Sequence, residues 1–198
     1  MGALTQQNYY SNIHPKRFAL WLFLGSIVML FAGLTSAYIV RRGQGNWVEY
    51  ILPDIFWLST VIILISSFTL HMAYVYHRDQ KAKRYRMALG ITVLLGLGFV
   101  IAQYSGWRQL TDLGVRLQGN PSGAFLYVIS GVHAAHLLGG VALLLIFFYK
   151  SIRRREPVKR LLEEINPERT LGVELLLTYW HFVGLLWLYL FIFFLYFG

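Results

Sequence analysis

The sequence predicts an all-α integral membrane protein, a bundle of five transmembrane helices in one unit covering residues 1–198. Two observations predict it: five apolar runs, each longer than 20 residues, lack Asp, Glu, Lys and Arg, and the basic residues gather in alternate loops. About 20 apolar residues cross a bilayer as a helix, which satisfies its own backbone in lipid. The predicted helices cover about residues 18–40, 55–76, 87–107, 122–149 and 175–197.

The residues before and between the apolar runs support this assignment. The first run is too long for a signal-peptide core and no small-residue cleavage site follows it, so we expect it to remain in the mature protein. Asp54 precedes the second run, and a basic loop separates it from the third. The fourth and fifth are joined by residues 150–174, the longest connection, which Pro157 and Pro167 interrupt.

Lys and Arg indicate the orientation of the helices. Of the 18 basic residues, 14 fall in the N-terminal segment and in the second and fourth loops, which share one side of the membrane if five helices alternate. The positive-inside rule therefore predicts a cytoplasmic N-terminus and a C-terminus outside. We interpret the net charge of +9 as this topological excess facing anionic lipid, with no nucleic acid as a partner.

The composition argues against several classes of protein. The chain has no cysteine, so it forms no disulfide and offers no thiolate metal ligand. Ionisable residues at membrane depth usually mark ion pathways, and the five runs contain no carboxylate, lysine or arginine. A small carrier is therefore disfavoured, and a soluble enzyme is excluded by the five runs themselves.

Four histidines, at positions 71, 133, 136 and 181, lie inside the runs. His133 and His136, three residues apart, occupy neighbouring positions on one helix face. His136 and His181 come to similar depths at about 1.5 Å per residue, and would share a hydrogen bond or a water if helices four and five are neighbours. We interpret His133, His136 and His181 as structural polar residues without a metal. A membrane b-type cytochrome that uses these three and His71 stays open as an alternative.

Small residues recur at a spacing of four along the fourth run, at Gly131, Ala135 and Gly139. Such a stripe lets a second helix approach closely, so we expect a close helix contact there. The first run has a similar small face at Gly25, Ala32, Gly33 and Ser36. The partner helix belongs either to the same bundle or to a larger membrane protein, in which case the chain would be an accessory subunit.

Three motifs resemble subunit III of the haem-copper oxidases. The first run contains LWLFLGS and FAGLTSAY, at residues 20–26 and 31–38, which resemble the first retained helix of that family. SGVHAAHLLGG at residues 130–140 resembles its S-G-x-H-x-x-H-x-x-G helix. TYWHFVGLLW at residues 178–187 resembles its closing Y-W-H-F-V-D-x-x-W helix. The motifs stand in family order and span nearly the whole chain, in the manner of the shorter, five-helix family form.

The resemblance implies a non-catalytic subunit of a bacterial aerobic oxidase of the cytochrome c type, in the cytoplasmic membrane. Such a subunit carries no haem or copper itself. It packs beside a catalytic subunit I that holds those groups, with subunit II and in some cases a larger respiratory supercomplex, and it supports sustained turnover. A quinol oxidase subunit or a nitric oxide reductase relative remains an alternative.

The resemblance also implies bound phospholipid, and four basic residues at the predicted cytoplasmic edge are candidates for contacting the headgroups: Arg78, Lys81, Arg84 and Arg153. Two departures from the family pattern concern buried carboxylates. Ile27 stands where the family usually has a glutamate, and Gly184 where it usually has an aspartate. No role of those carboxylates can be carried over to this chain. Their joint loss fits the absence of charge from the five runs, since losing one charged group alone would leave another unpaired.

Overall fold

Five long helices make up the described part of the chain. The computed structural model describes residues 14–153 and 168–198. The helices are α1 (Pro15–Arg42), α2 (Ile55–Arg78), α3 (Ala82–Asp112), α4 (Pro121–Arg153) and α5 (Glu168–Phe197). All five are long and apolar enough to cross a membrane, which confirms the predicted all-α, five-span class. The loop prolines Pro157 and Pro167 and the basic residues Arg154, Arg155, Lys159 and Arg160 lie outside the described residues. The orientation stays a prediction.

Local sequence signals fix where several helices begin. Pro15 occupies the first turn of α1, where its missing N–H is not needed, and the His14 Nδ1 atom accepts from the Lys16 backbone N–H at 3.3 Å. Before α4, the Asn120 Oδ1 atom accepts from the Ser122 backbone N–H at 2.9 Å. The turn between α2 and α3 is short because Gln80 adopts a positive φ of 57°.

The helices form a ring with one diagonal contact. In the order α1, α4, α3, α2, α5, each packs on the next and α5 closes the ring on α1, while α4 and α5 also meet across the middle. The bundle therefore divides into a three-helix part, α1–α4–α5, and a four-helix part, α2–α3–α4–α5. α5 is the most buried span and α1 the least.

Trp180 of α5 fills the middle of the four-helix part. Its indole is fully buried, and its Nε1 donates to the Ser66 Oγ of α2 at 3.1 Å. A Cβ atom added at Gly96 of α3 or at Gly140 of α4 would lie 3.1 Å from the ring. Both glycines therefore let their helices approach the indole more closely than any other residue would allow.

Short hydroxyl side chains join the helices elsewhere. Such interhelical bonds contribute about 0.6–2 kcal/mol each in a membrane. The pairs are Trp187 Nε1 to Thr60 Oγ1 at 3.0 Å, Gln103 Nε2 to Ser59 Oγ at 3.2 Å, Thr69 with Thr92 at 2.9 Å, Trp107 Nε1 to Ser130 Oγ at 3.1 Å, and Thr35 with Tyr189 at 3.0 Å. Because each uncharged donor finds an acceptor on another helix, the pairs fix the register of neighbours.

α1 is tied to α5 at both ends. At the end that carries the N-terminus, the Arg17 guanidinium meets the Glu174 carboxylate at 2.8 Å, with both side chains partly exposed. At the other end, the Tyr38 hydroxyl donates to the Phe197 carbonyl at 3.0 Å and lies 3.1 Å from the Tyr50 hydroxyl. Burial raises the pKa of Tyr50, which lies in the loop after α1. That phenol therefore stays protonated and available for the pair.

We expect Gly96→Leu to destabilise the bundle, because its side chain would enter the space of the Trp180 indole. Overpacking of this kind costs about 1–3 kcal/mol. Gly98→Leu on the same helix is the matched control, since a Cβ there meets nothing within 4 Å. Thermal unfolding in detergent should show a lower midpoint for Gly96→Leu only. Equal midpoints for the two variants would contradict this account of the packing.

Candidate functional site

His133 lies at the junction of four helices. Its imidazole is 1% exposed, and its ring centre is 6.5 Å from Phe31 of α1, 6.3 Å from Phe99 of α3 and 5.3 Å from Trp187 of α5. Among the described residues, no group hydrogen-bonds either of its ring nitrogens. The site is an aromatic box around a buried imidazole. An unpaired buried polar group of this kind costs about 1–3 kcal/mol.

His136, one turn along α4, has a different environment. Its Nδ1 atom lies 2.8 Å from the Val132 carbonyl oxygen of the same helix. The Tyr179 hydroxyl of α5 donates to the backbone carbonyl of His136 at 2.8 Å. Its ring centre is 6.0 Å from that of Phe31, the same phenyl that borders His133. The structure thus brings the two α4 histidines to one aromatic cluster, in which only His136 is hydrogen-bonded.

His181 turns away from both. Its ring centre lies 6.2 Å from that of His71 on α2, on the side of α5 that faces α2. Helices α4 and α5 are neighbours, as the expected hydrogen bond between His136 and His181 requires. The ring of His136 nevertheless bonds its own helix. A hydrogen bond or shared water between His136 and His181 therefore finds no support. Similar depth in the membrane therefore did not bring the two rings together.

The four histidines do not gather into one site with three or more protein ligands in the described part of the chain. Residues 14–153 and 168–198 contain no group of three or more His, Cys, Asp or Glu able to hold a metal ion. A porphyrin between His71 and His181 would need an open slot between α2 and α5. One turn away, a Cβ at Gly184 would already lie 3.3 Å from the Ser67 Oγ atom. This packing argues against the b-type cytochrome alternative.

The small-residue stripe on α4 lies on the outside of the bundle. A Cβ added at Gly131 meets no atom within 4 Å, and one at Gly139 meets only the Tyr179 hydroxyl, at 3.9 Å. Ala135 is exposed. The close contacts inside the chain use Gly140, the neighbour of Gly139, together with glycines of α3. Gly25 and Gly33 on α1 are open in the same way.

Gly131 and Ala135 border a groove of about 270 Å³ between α3 and α4. The α3 side of the groove is formed by Phe99, Val100, Gln103, Tyr104 and Trp107. The groove opens outward and is almost entirely apolar. It is a surface on which another membrane component would pack and not an enclosed reaction chamber.

The four basic candidates lie at one end of the bundle, where α2, α3 and α4 begin or end. Lys81 pairs with the Asp79 carboxylate at 3.0 Å. The guanidinium of Arg84 lies 5.9 Å from the Tyr76 ring centre and that of Arg153 6.0 Å from the Tyr149 ring centre. Arg78 is exposed. Aromatic neighbours hold two of the arginines close to the helix surface.

The two positions that depart from the family pattern are on different helix faces. Ile27 is 2% exposed on α1, which packs on α4 and α5. Gly184 faces α2, where the Ser67 Oγ and an Ile63 methylene carbon are nearest to its added Cβ. Gly184 leaves room for α2 to pack closely on α5 at this point.

The sequence did not reveal the packing at the centre of the bundle. Gly140 and Trp180 stood within the family motifs, but neither they nor Gly96 were assigned a packing role, although the several glycines of the third run and the pair at 139–140 were visible signals. The outward small residues would let a helix of another membrane protein approach closely.

Comparisons with known proteins identify the family. The model of the family described as cytochrome c oxidase subunit III matches residues 46–198. Cytochrome c oxidase subunit 3 of Thermostichus vulcanus is 31% identical to the chain, with 92% of this chain and 88% of that protein covered. The probable cytochrome c oxidase subunit 3 of Nocardia farcinica is 29% identical, with 96% and 93% covered. The probable quinol oxidase subunit 3 of Staphylococcus saprophyticus is 25% identical, with 96% and 92% covered.

The chain therefore belongs to the cytochrome c oxidase subunit III family, which confirms the resemblance carried by its three motifs. It is a multi-pass membrane protein and an accessory subunit of a terminal oxidase. The family lacks redox cofactors and associates with the oxidase complex.

We expect His133→Phe to leave the bundle as stable as the parent or more stable by up to about 1–3 kcal/mol, because it removes two unpaired buried nitrogens from an aromatic box. His136→Phe is the comparison, since it loses the bond to the Val132 carbonyl and should lower stability. Urea or thermal unfolding in detergent measures both. A clear loss of stability in His133→Phe would mean that its nitrogens have a partner, such as an internal water.

Proposed function

We propose that this chain is subunit III of a bacterial aerobic oxidase, in the cytoplasmic membrane with its N-terminus inside. It packs against a catalytic subunit I that carries haem and copper and reduces oxygen to water while pumping protons, in a complex with subunit II. Its contribution is to sustain turnover by stabilising that subunit. The observation that carries the proposal is a bundle that closes its own interior with uncharged aromatic packing while leaving small residues on its outer face.

The electron donor is proposed to be cytochrome c, in line with the names of the relatives from Thermostichus vulcanus and Nocardia farcinica. A quinol donor is the second candidate, favoured by the relative named as a probable quinol oxidase subunit 3. The donor would dock on other subunits, so this chain suits either complex.

Purification of the tagged chain from its native membrane tests the proposal. We expect it to bring down a haem-copper catalytic subunit, with a copper-binding subunit II or a fused cytochrome c if cytochrome c is the donor. The isolated chain, separated from its partners, should show no haem absorption. Recovery without any oxidase subunit, or a haem band that stays with the isolated chain, would overturn the proposal.

The stripe of Gly131, Ala135 and Gly139 is proposed as a close contact with a helix of the catalytic complex. Because a bulky residue would hold that helix away, Ala135→Leu should reduce assembly, with overpacking worth about 1–3 kcal/mol. Ala37→Leu, on the exposed face of α1, is the matched control. The measurement is the amount and heat stability of the purified complex. If Ala135→Leu assembles as well as the control, the stripe faces lipid.

Phospholipid is proposed to bind near the basic edge formed by Arg78, Lys81, Arg84 and Arg153. Attraction of this kind is worth about 1 kcal/mol per basic residue near an anionic surface. Double replacement of Arg78 and Arg84 by Gln should reduce the lipid that copurifies, as counted by native mass spectrometry. Arg108→Gln at the opposite end is the control. An unchanged number of copurified lipids in the double variant would show that these residues do not bind lipid.

His136 and His181 are proposed to act structurally, so the chain is not itself a proton channel. The five runs hold no carboxylate from which a relay about 30 Å long could be built. His136→Phe or His181→Phe should therefore shorten the active lifetime of the complex while leaving initial turnover and the proton-to-electron ratio of the assembled fraction near normal. Loss of pumping with continued oxygen reduction in a fully assembled variant would show that the helix takes part in proton transfer.

A further inference from the structure

Two imidazoles from different helices face each other across the seam between α2 and α5. The ring centres of His71 and His181 are 6.2 Å apart and their planes are inclined by 44°. His71 is exposed at the bundle surface and His181 is half-buried. Among the described residues, neither ring makes a hydrogen bond. Two histidine rings thus meet with none of their four nitrogens hydrogen-bonded to a described residue.

The packing around the pair fixes the distance between the two helices. On one side of His181, the Trp180 indole bonds the Ser66 hydroxyl of α2 at 3.1 Å. One turn further along α5, Gly184 lies directly against Ser67. The two backbones are therefore held in register around the histidines, and only the rings themselves need to turn for their nitrogens to converge.

We propose that His71 and His181 together bind one divalent transition-metal ion of the zinc type, with water completing its coordination. With metal–nitrogen distances of about 2.0–2.1 Å, two imidazoles on one tetrahedral ion have their ring centres roughly 5 Å apart. The observed 6.2 Å is about 1 Å longer, a difference that rotation of the two side chains would close. The site goes beyond the proposed oxidase role, because it needs no partner subunit.

The ligand chemistry selects the kind of ion. Neutral imidazole suits zinc, copper, nickel and iron, whereas magnesium and calcium require carboxylate or carbonyl oxygen. The described residues provide no third His, Cys, Asp or Glu at this place. Two protein ligands give an exchangeable site of modest affinity. Such a site clamps α2 to α5 without making the chain a carrier of a redox cofactor.

The basic end of the bundle is the charged edge nearest to the site. Arg78 on α2 and Glu174 on α5 are each seven residues from their histidine, a distance of about 10 Å along a helix. The Glu174 carboxylate is partly exposed and already pairs with Arg17, so it marks the level that water reaches. The site is thus two turns inside the charged rim.

The test uses the full-length chain in detergent with an affinity tag that contains no histidine. Zn²⁺ is titrated by calorimetry and by its effect on the unfolding midpoint, which rises with ligand concentration over Kd. We expect one ion per chain. His71→Gln and His181→Gln should each weaken binding at least tenfold. His77→Gln, at the same end of α2, is the matched control and should bind like the parent.

A gain of function provides the second readout. Gly184→Asp adds a carboxylate one turn from His181, on the face towards α2, and should tighten Zn²⁺ binding about tenfold if the ion lies between the two histidines. The absorption spectrum of bound Co²⁺ should change in this variant and disappear in His71→Gln.

Equal affinity in the parent and in both histidine variants would overturn the proposal, as would a loss in His77→Gln as large as theirs. Because these measurements are made on the isolated chain, their failure leaves the association with an oxidase untouched. A failed copurification with oxidase subunits likewise leaves the metal site standing.

Discussion

The contact of the Trp180 indole with three neighbouring helices is the constraint on which most of the bundle depends. The ring lies between Gly96 and Gly140, each of which would bring a Cβ within 3.1 Å of it, and its nitrogen bonds Ser66. α5 therefore sits at one distance and in one register from α2, α3 and α4. The bond from Trp187 to Thr60, about two turns further along α5, repeats the connection to α2. His181 directly follows Trp180 along α5, so this arrangement also sets its place beside α2.

The interior avoids charge and satisfies its polar groups in pairs. Indoles and a carboxamide donate to hydroxyls of adjacent helices. Three of these hydroxyls, those of Ser59, Thr60 and Ser130, also donate to a carbonyl of their own helix. His133 departs from this pattern, because aromatic rings surround it on several sides. An interior without embedded charge suits a subunit that stabilises a neighbour and leaves electron and proton transfer to other chains. Ile27 and Gly184 extend that pattern at two separate places.

The outer surface has regions of bulky side chains and regions of small ones. Trp21, Met29 and Leu94 project widely, as is usual for side chains that face lipid tails. By contrast, the α4 surface beside the groove to α3 carries no projecting side chains at Gly131, Ala135 and Gly139. Since lipid fills either surface equally well, the small residues have their clearest use where a second helix comes close. The accessory role therefore depends on the outside of this bundle, while its inside provides a rigid support.

The sequence by itself determined the fold class and the family. Uncharged runs of this length must form helices in a bilayer, because nothing else there satisfies their backbone, and the motifs around His133, His136 and His181 identified subunit III. Only the tertiary structure decided that Gly140 faces inward while Gly139 faces outward, and that His181 meets His71 instead of His136. Periodicity shows which residues share a face of a helix. It does not show which face points inward, because lipid tails are as apolar as the protein core and the sequence carries little contrast between the two.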